Sequence, residues 1–148
     1  MTVSMLKKIP LENLINDDLI QLPDPVWEGS LRNGAGKGPK SKGIGRVIVG
    51  VYVLEYEGEV IYVGLSNNVE GRLRTHYNPK VNALHAKLRQ DYGNKGALTV
   101  RSKVRATIYE IPHRALSMMV EGYLIYRYRP KYNAESLDSA QHKIPYVY

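Results

Sequence analysis

The sequence predicts an α+β domain in which a three-stranded antiparallel sheet is flanked by helices and preceded by an N-terminal arm. Three observations predict it. Residues 46–57, RVIVGVYVLEYE, are rich in β-branched residues, the composition of a strand. A second such run, VIYVG at 60–64, returns after a turn marked by Gly58, so the two form a hairpin. Further on, apolar residues recur at helical spacing, most clearly over 113–128.

In chain order, residues 1–27 carry a short helical pattern, Leu11, Leu14, Ile15, Leu19 and Ile20, which Pro23 and Pro25 end. Residues 29–46, GSLRNGAGKGPKSKGIGR, are dense in glycine, and Arg32, Lys37, Lys40, Lys42 and Arg46 have no acidic residue among them. Such a segment predicts a mobile loop, either a nucleic-acid-tracking arm or a solubilising linker. It is not a phosphate-binding loop of the GxxxxGK[ST] kind, because the spacing differs and no strand precedes it. Residues 1–45 are therefore assigned to the arm and basic loop, 46–134 to the folded domain and 135–148 to a tail.

After the hairpin the period changes. Asn67 is a candidate helix cap with Glu70 three residues later, and Val69, Leu73 and Tyr77 share one face. Beyond Pro79, Val81, Leu84, Leu88 and Tyr92 predict another helix, stopped by Gly93. Residues 99–111, TVRSKVRATIYEI, read as a third strand with Arg101, Lys103 and Arg105 on one basic edge. The helix over 113–128 would bury Leu116, Met119, Val120, Tyr123 and Leu124, and Pro130 ends it.

Parity within the hairpin matters for any site built on it. Neighbours along a strand alternate between faces, and directly opposed residues share one. A three-residue loop at Glu57–Gly58–Glu59, or a bulge of the same parity, puts Tyr52, Leu54 and Tyr62 on one face. A plain two-residue loop would turn Tyr62 away.

The chain has 148 residues, 43% of them hydrophobic, enough for one domain with a core. It has 12 Tyr and no Phe, so tyrosine supplies most aromatic packing. The formal net charge of +7 points to a polyanion partner. The absence of cysteine excludes disulfides, Cys-ligated metal and thiol nucleophiles. No apolar run is long enough to span a bilayer, and the N-terminus lacks a secretory stretch, so a cytoplasmic protein with no membrane contact is expected.

Five elements then fall in order: GVY at 50–52, YVG at 62–64, Arg72 eight residues after Gly64 with His76 four further on, Glu121 within MVEGYLIYRYRPKYN, and Asn133 at its end. Together they resemble the GIY-YIG nuclease superfamily over roughly residues 46–134, with Val51 and Val63 in place of the isoleucines. The Arg-x-x-x-His pair, the basic arm and the small size look most like its restriction-endonuclease branch. The resemblance implies a metal-dependent nuclease, with Tyr52, Tyr62, Arg72, His76, Glu121 and Asn133 as catalytic residues and Glu121 as metal ligand. It also implies Mg²⁺ as the cofactor, with Mn²⁺ as a substitute.

The residues support this chemistry on their own terms. Phosphodiester cleavage needs a base for water, a cation at the phosphate oxygens and help for the leaving oxygen. Arg72 and His76 lie i, i+4 on one helix face, and the planar guanidinium suits phosphate. Glu121 is the only acid between Glu110 and Glu135; one carboxylate with phosphate and waters makes a Mg²⁺-type site. Tyr52 is assigned as general base or water-orienting group, its high ordinary pKa drawn down by Arg72 and the metal. His76 is the rival base. Tyr62 positions phosphate or water, and Asn133 holds the site loop or a phosphate. Arg32, Lys37, Lys40, Lys42, Arg46 and Arg74 are the candidate nucleic-acid contacts, and His85, His113 and His142 are structural or surface residues.

The functional expectation is a site-specific endonuclease on double-stranded DNA, acting as a homodimer so that two sites cut a palindrome. The alternatives are a toxin or repair nuclease with low sequence preference, and a non-catalytic nucleic-acid-binding module. Incubation with plasmid and Mg²⁺ separates them: discrete bands, nicking or smearing, or a mobility shift alone.

Overall fold

The structure is a computed structural model that describes residues 22–37, 42–78 and 83–133. The helical pattern at 11–20, Lys40, Pro79, Val81, His142 and the 135–148 tail lie outside these. Its elements run β1 (Trp27–Ser30), α1 (Leu31–Gly34), β2 (Gly50–Tyr56), β3 (Glu59–Ser66), α2 (Val69–Tyr77), α3 (Ala83–Lys103), β4 (Arg105–Glu110), α4 (Arg114–Tyr128) and a 3-10 turn at Lys131–Asn133.

The sheet has four strands, not three, in the order β1-β4-β2-β3, every neighbouring pair antiparallel. The extra strand, β1, comes from the expected arm. Its four residues, WEGS, are too short for an alternation pattern, and β4 supplies what holds them: Trp27 pairs with Ile108 and Ser30 with Arg105. Leu31 then begins α1 fully buried, so residues 27–34 belong to the domain.

The strands alternate between two cores. Tyr52, Leu54, Ala106 and Ile108 face α1, α2 and α3, where Leu31, Val69, Leu73, Leu88 and Val100 pack on them. Val51, Val53, Val63 and Ile111 face α4 through Val120, Tyr123 and Leu124. Leu116 and Met119, expected in that second core, are 38% and 42% exposed. The helix buries the line through Ser117, Val120 and Leu124, spaced i, i+3, i+7, with Tyr123 and Ile125 beside it, and leaves Leu116 and Met119 at the surface.

The expected strand over 99–104 is helix. Ala97, Val100 and Val104 also fit i, i+3, i+7, and all three are buried. The alternation that suggested a strand was supplied by solvent-facing Ser102 and Lys103, so Arg101 and Lys103 do not form a basic strand edge. Gly93 does break the helical path, with φ 76° and ψ 175°, dividing α3 into two segments. Arg101 uses its freedom from the sheet to join α3 to α2: its Nη1 donates to the Tyr77 carbonyl at 2.6 Å, and its guanidinium sits 4.2 Å from the Tyr77 ring centroid.

The cap of α2 is Asn68 rather than Asn67. Its side chain accepts from Gly71 N at 3.2 Å. Glu70 does not fold back on that cap; its Oε1 accepts Ile44 N at 2.8 Å and so pins the end of the basic loop to α2. Among the described residues, no helix is long and apolar enough to cross a membrane.

Candidate active site at the free edge of β3

The hairpin turn occupies two residues, Glu57 and Gly58, both with positive φ (52° and 80°), the geometry that matches strand twist. Tyr56 therefore pairs with Glu59 and Glu55 with Val60. A bulge then shifts the register between Leu54 and Glu55, so Leu54 pairs with Tyr62 and Tyr52 with Gly64. The bulge restores the parity expected of a three-residue loop, and Tyr52, Leu54 and Tyr62 pack on the same core.

Tyr52, Tyr62 and His76 form one ring cluster. The tyrosine centroids are 6.1 Å apart and nearly parallel; the His76 ring lies 5.5 Å from Tyr52 and 4.8 Å from Tyr62. Both glycines of the hairpin motif are clearances for close neighbours. A Cβ on Gly64 would stand 2.5 Å from the Tyr52 Cζ and Oη, and one on Gly50 would strike the Tyr109 carbonyl. Arg72, one turn before His76, brings its guanidinium beside both phenols and is itself exposed.

The electrostatics bear on the expected roles of Tyr52 and His76. Tyr52 is wholly buried, and its hydroxyl meets His76 Nε2 at 2.7 Å. Burial pushes the phenol further above its ordinary range, with a contribution from Tyr62, and this outweighs the nearby Arg72 charge. In this arrangement the Tyr52 hydroxyl is turned to His76 and away from solvent. His76, 5% exposed, is held down to about 4 by burial and by Arg72. It is a buried, neutral ring whose Nδ1 has no hydrogen-bond partner among the described residues. Tyr62 is only partly buried, so it and Arg72 are the members of the cluster that reach solvent.

Asn133 and Glu121 arrive at the other side of the same strand. Asn133, 2% exposed, accepts Val63 N through Oδ1 at 2.8 Å and donates from Nδ2 to Val63 O at 2.9 Å. It therefore pairs with the outer backbone edge of β3 and does not face a phosphate. Leu65, two residues on, turns its N–H to that same edge, close enough to Glu121 to favour its ionised form. Burial of this carboxyl, only partly offset by the Leu65 amide, lifts it to about 7.

A divalent cation fits this environment. A desolvated carboxylate without a counter-charge is costly, and a cation would relieve it. No cluster of three acidic or histidine side chains exists among the described residues to form an all-protein cage. A Mg²⁺-type ion, which keeps most of its waters and needs one or two carboxylates, matches a single Glu121.

The expected nucleic-acid contacts separate into groups. Arg32, Lys37 and Lys42 are exposed. Arg46 forms a two-pronged pair with Glu110 at 2.6 and 3.1 Å, so it is not an unopposed cation. Arg74 leans on Glu70 at 3.4 Å and remains half exposed. The sequence suggested only a capping role for Glu70 and did not point to Asp91, which takes the Tyr132 hydroxyl at 2.6 Å and Lys131 at 2.8 Å to hold the turn carrying Asn133. No local pattern signals such long-range pairs.

The GIY-YIG catalytic domain description matches residues 48–133. The chain belongs to the GIY-YIG family and carries its catalytic domain, which by class is a hydrolytic nuclease. More particularly, it is similar to UvrABC system protein C of Methylococcus capsulatus, 31% identical over 105 residues, 67% of this chain and 14% of that protein. It is also similar to UvrABC system protein C of Fervidobacterium nodosum, 26% identical over 98 residues, 66% of this chain and 15% of that protein. The chain thus spans about a seventh of these relatives' length. Among solved structures it resembles the N-terminal endonuclease domain of UvrC from Thermotoga maritima bound to magnesium. That match has 22% identity, covers 70% of this chain and 96% of that one, and has a TM-score of 0.46.

Proposed function

We propose that this chain is a Mg²⁺-dependent endonuclease that hydrolyses phosphodiester bonds in double-stranded DNA, with Mn²⁺ able to replace Mg²⁺. The observation that carries the reading is that Arg72 and Tyr62, which reach solvent, and Glu121 of α4 all border the edge strand β3. Arg72 binds the phosphate and offsets its growing charge. Tyr62 orients the attacking water beside that guanidinium. The buried Tyr52–His76 pair acts as a positioning unit: it fixes the Tyr62 ring and the floor under Arg72. Glu121 would hold the divalent ion, which would supply Lewis-acid stabilisation of the phosphoryl oxygens. Asn133 keeps β3, and with it Tyr62 and Leu65, in place.

The relatives favour a repair-type nuclease with low sequence preference over the site-specific restriction enzyme that the Arg-x-x-x-His pair suggested. Homodimerisation belonged to the restriction reading, and the repair reading does not need it. Supercoiled plasmid incubated with Mg²⁺ or with EDTA tests the proposal. Nicked circles without discrete fragments, lost in EDTA, are expected. Discrete fragments would return the restriction reading, and intact plasmid at all Mg²⁺ and Mn²⁺ concentrations would overturn both.

A further inference from the structure

The last two turns of α4 carry a feature that the cleavage site does not use. Tyr123, Tyr126, Arg127 and Arg129 line a cleft of about 320 Å³, at the small end of ligand-sized clefts. Arg129 lays its guanidinium over the Tyr126 ring, 4.9 Å from the centroid. Among the described residues no acid pairs with Arg127 or Arg129, and none lies between Glu121 and Asn133 in sequence.

Cations in a last helical turn complement the helix dipole, and the Arg129 N–H caps the Ile125 carbonyl. That accounts for positive charge at this place. It does not account for an open cleft, or for an arginine stacked on an exposed tyrosine while its neighbour is unpaired.

We propose that this cleft is a second nucleic-acid contact, which takes one unpaired nucleotide of the substrate strand. The base stacks on the Tyr126–Arg129 platform and the phosphate meets Arg127. Stacking on an aromatic–guanidinium surface is open only to a base outside the duplex stack, and it tolerates any base. Arg127 lies six residues beyond Glu121, about 9 Å along the helix axis and on a different face. That is two to three nucleotide steps along a strand, so the contact lies beside the cleavage edge and not within it. The proposal rests on the nuclease reading above.

The test is anisotropy with the full chain in EDTA, where binding is read without cleavage. The probes are a labelled single-stranded 12-mer, a blunt duplex of the same sequence, and free 5′-dAMP as competitor. The variants are Tyr126→Leu and Arg127→Gln/Arg129→Asn, asparagine being tolerated at the positive φ of residue 129. Tyr126→Leu should weaken single-strand binding about 5- to 100-fold with little change on the duplex. The double variant should in addition flatten the single-strand salt slope by roughly 0.7, the share of one phosphate. Equal Kd and slope in wild type and variants, with melting curves showing all folded, would overturn the proposal. Equal losses on duplex and single strand would also overturn it, because they report charge alone. Loss of dAMP binding with single-strand affinity intact would make it a free-nucleotide site instead. Intact plasmid in Mg²⁺ would remove the cleavage reading without altering these binding results.

Discussion

The Tyr52 hydroxyl and the His76 Nε2 meet at 2.7 Å inside the protein, with no solvent on either ring's contact. A hydrogen bond sealed in this way is expensive to break from one side only. His76→Ala should cost about 2–4 kcal/mol, from an orphaned phenol and a cavity, and should slow cleavage as well. Tyr52→Phe/His76→Phe together should cost less than the sum of the single changes. Urea unfolding of the four proteins in a double-mutant cycle measures this; strict additivity would mean that the two groups do not act as a pair.

His76 also gives stability a pH dependence. Its folded pKa, about 4, lies below the ordinary histidine value of 6.5, so the unfolded chain binds the proton first. Stability should therefore fall as pH drops from about 6.5 towards 4. A His76→Phe variant should lack this component, and parallel denaturation curves for the two proteins across that window would refute the assignment.

Glu121 works in the opposite direction. Its folded pKa, about 7 against an ordinary glutamate value of 4.5, means the metal-free fold holds the proton more tightly. Without metal, stability should decline as pH rises from about 4.5 to 7, by at most on the order of 3 kcal/mol. Glu121→Gln should abolish the decline, eliminate cleavage and leave DNA binding in EDTA unchanged. Near wild-type cutting by this variant would exclude Glu121 as the ligand.

Arg72→Ala should lower the cleavage rate by something like 10²–10³-fold, the loss of one charge-stabilising donor, with a small effect on melting temperature because the side chain is exposed. An unchanged rate would make Arg72 a solvated surface residue.

The basic loop should contribute to salt dependence unequally. Removing Lys37 or Lys42 should flatten log K against log salt by roughly one unit per lost phosphate contact. Arg46→Ala should do less, because Glu110 already occupies that guanidinium. Equal slopes for all three variants would mean that the Arg46–Glu110 pair opens on DNA.

The sequence made legible what depends on short-range spacing. The i, i+4 pair Arg72–His76, the order of the five motif elements and the shared face of Tyr52 and Tyr62 all follow from period and parity. The route to that parity was not legible as a single answer, because a loop and a bulge give the same alternation. β1 was hidden because its four residues gain strand geometry only from β4. The stretch 97–104 fits both periods, and burial of Ala97 decides it. The access of each site residue was also out of reach: a tyrosine in a strand reads the same whether its hydroxyl meets water, as Tyr62 can, or a buried histidine, as Tyr52 does.

The two margins of the sheet differ in kind. The β3 margin is occupied by side chains, Asn133 on Val63 and Glu121 on Leu65, and cannot accept another strand without giving up the site. Among the described residues, no side chain is seated on the outer backbone of the β1 margin, where two copies could pair strand to strand. A pair joined there would form an eight-stranded sheet with its two β3 strands at opposite extremes, seven strand spacings or about 34 Å apart. That distance is close to one full turn of duplex. In such a pair the two β3 strands, and the site residues beside them, would stand far apart and not side by side. This side-chain-sealed margin therefore limits how the domain can be used in tandem, whatever DNA it is given.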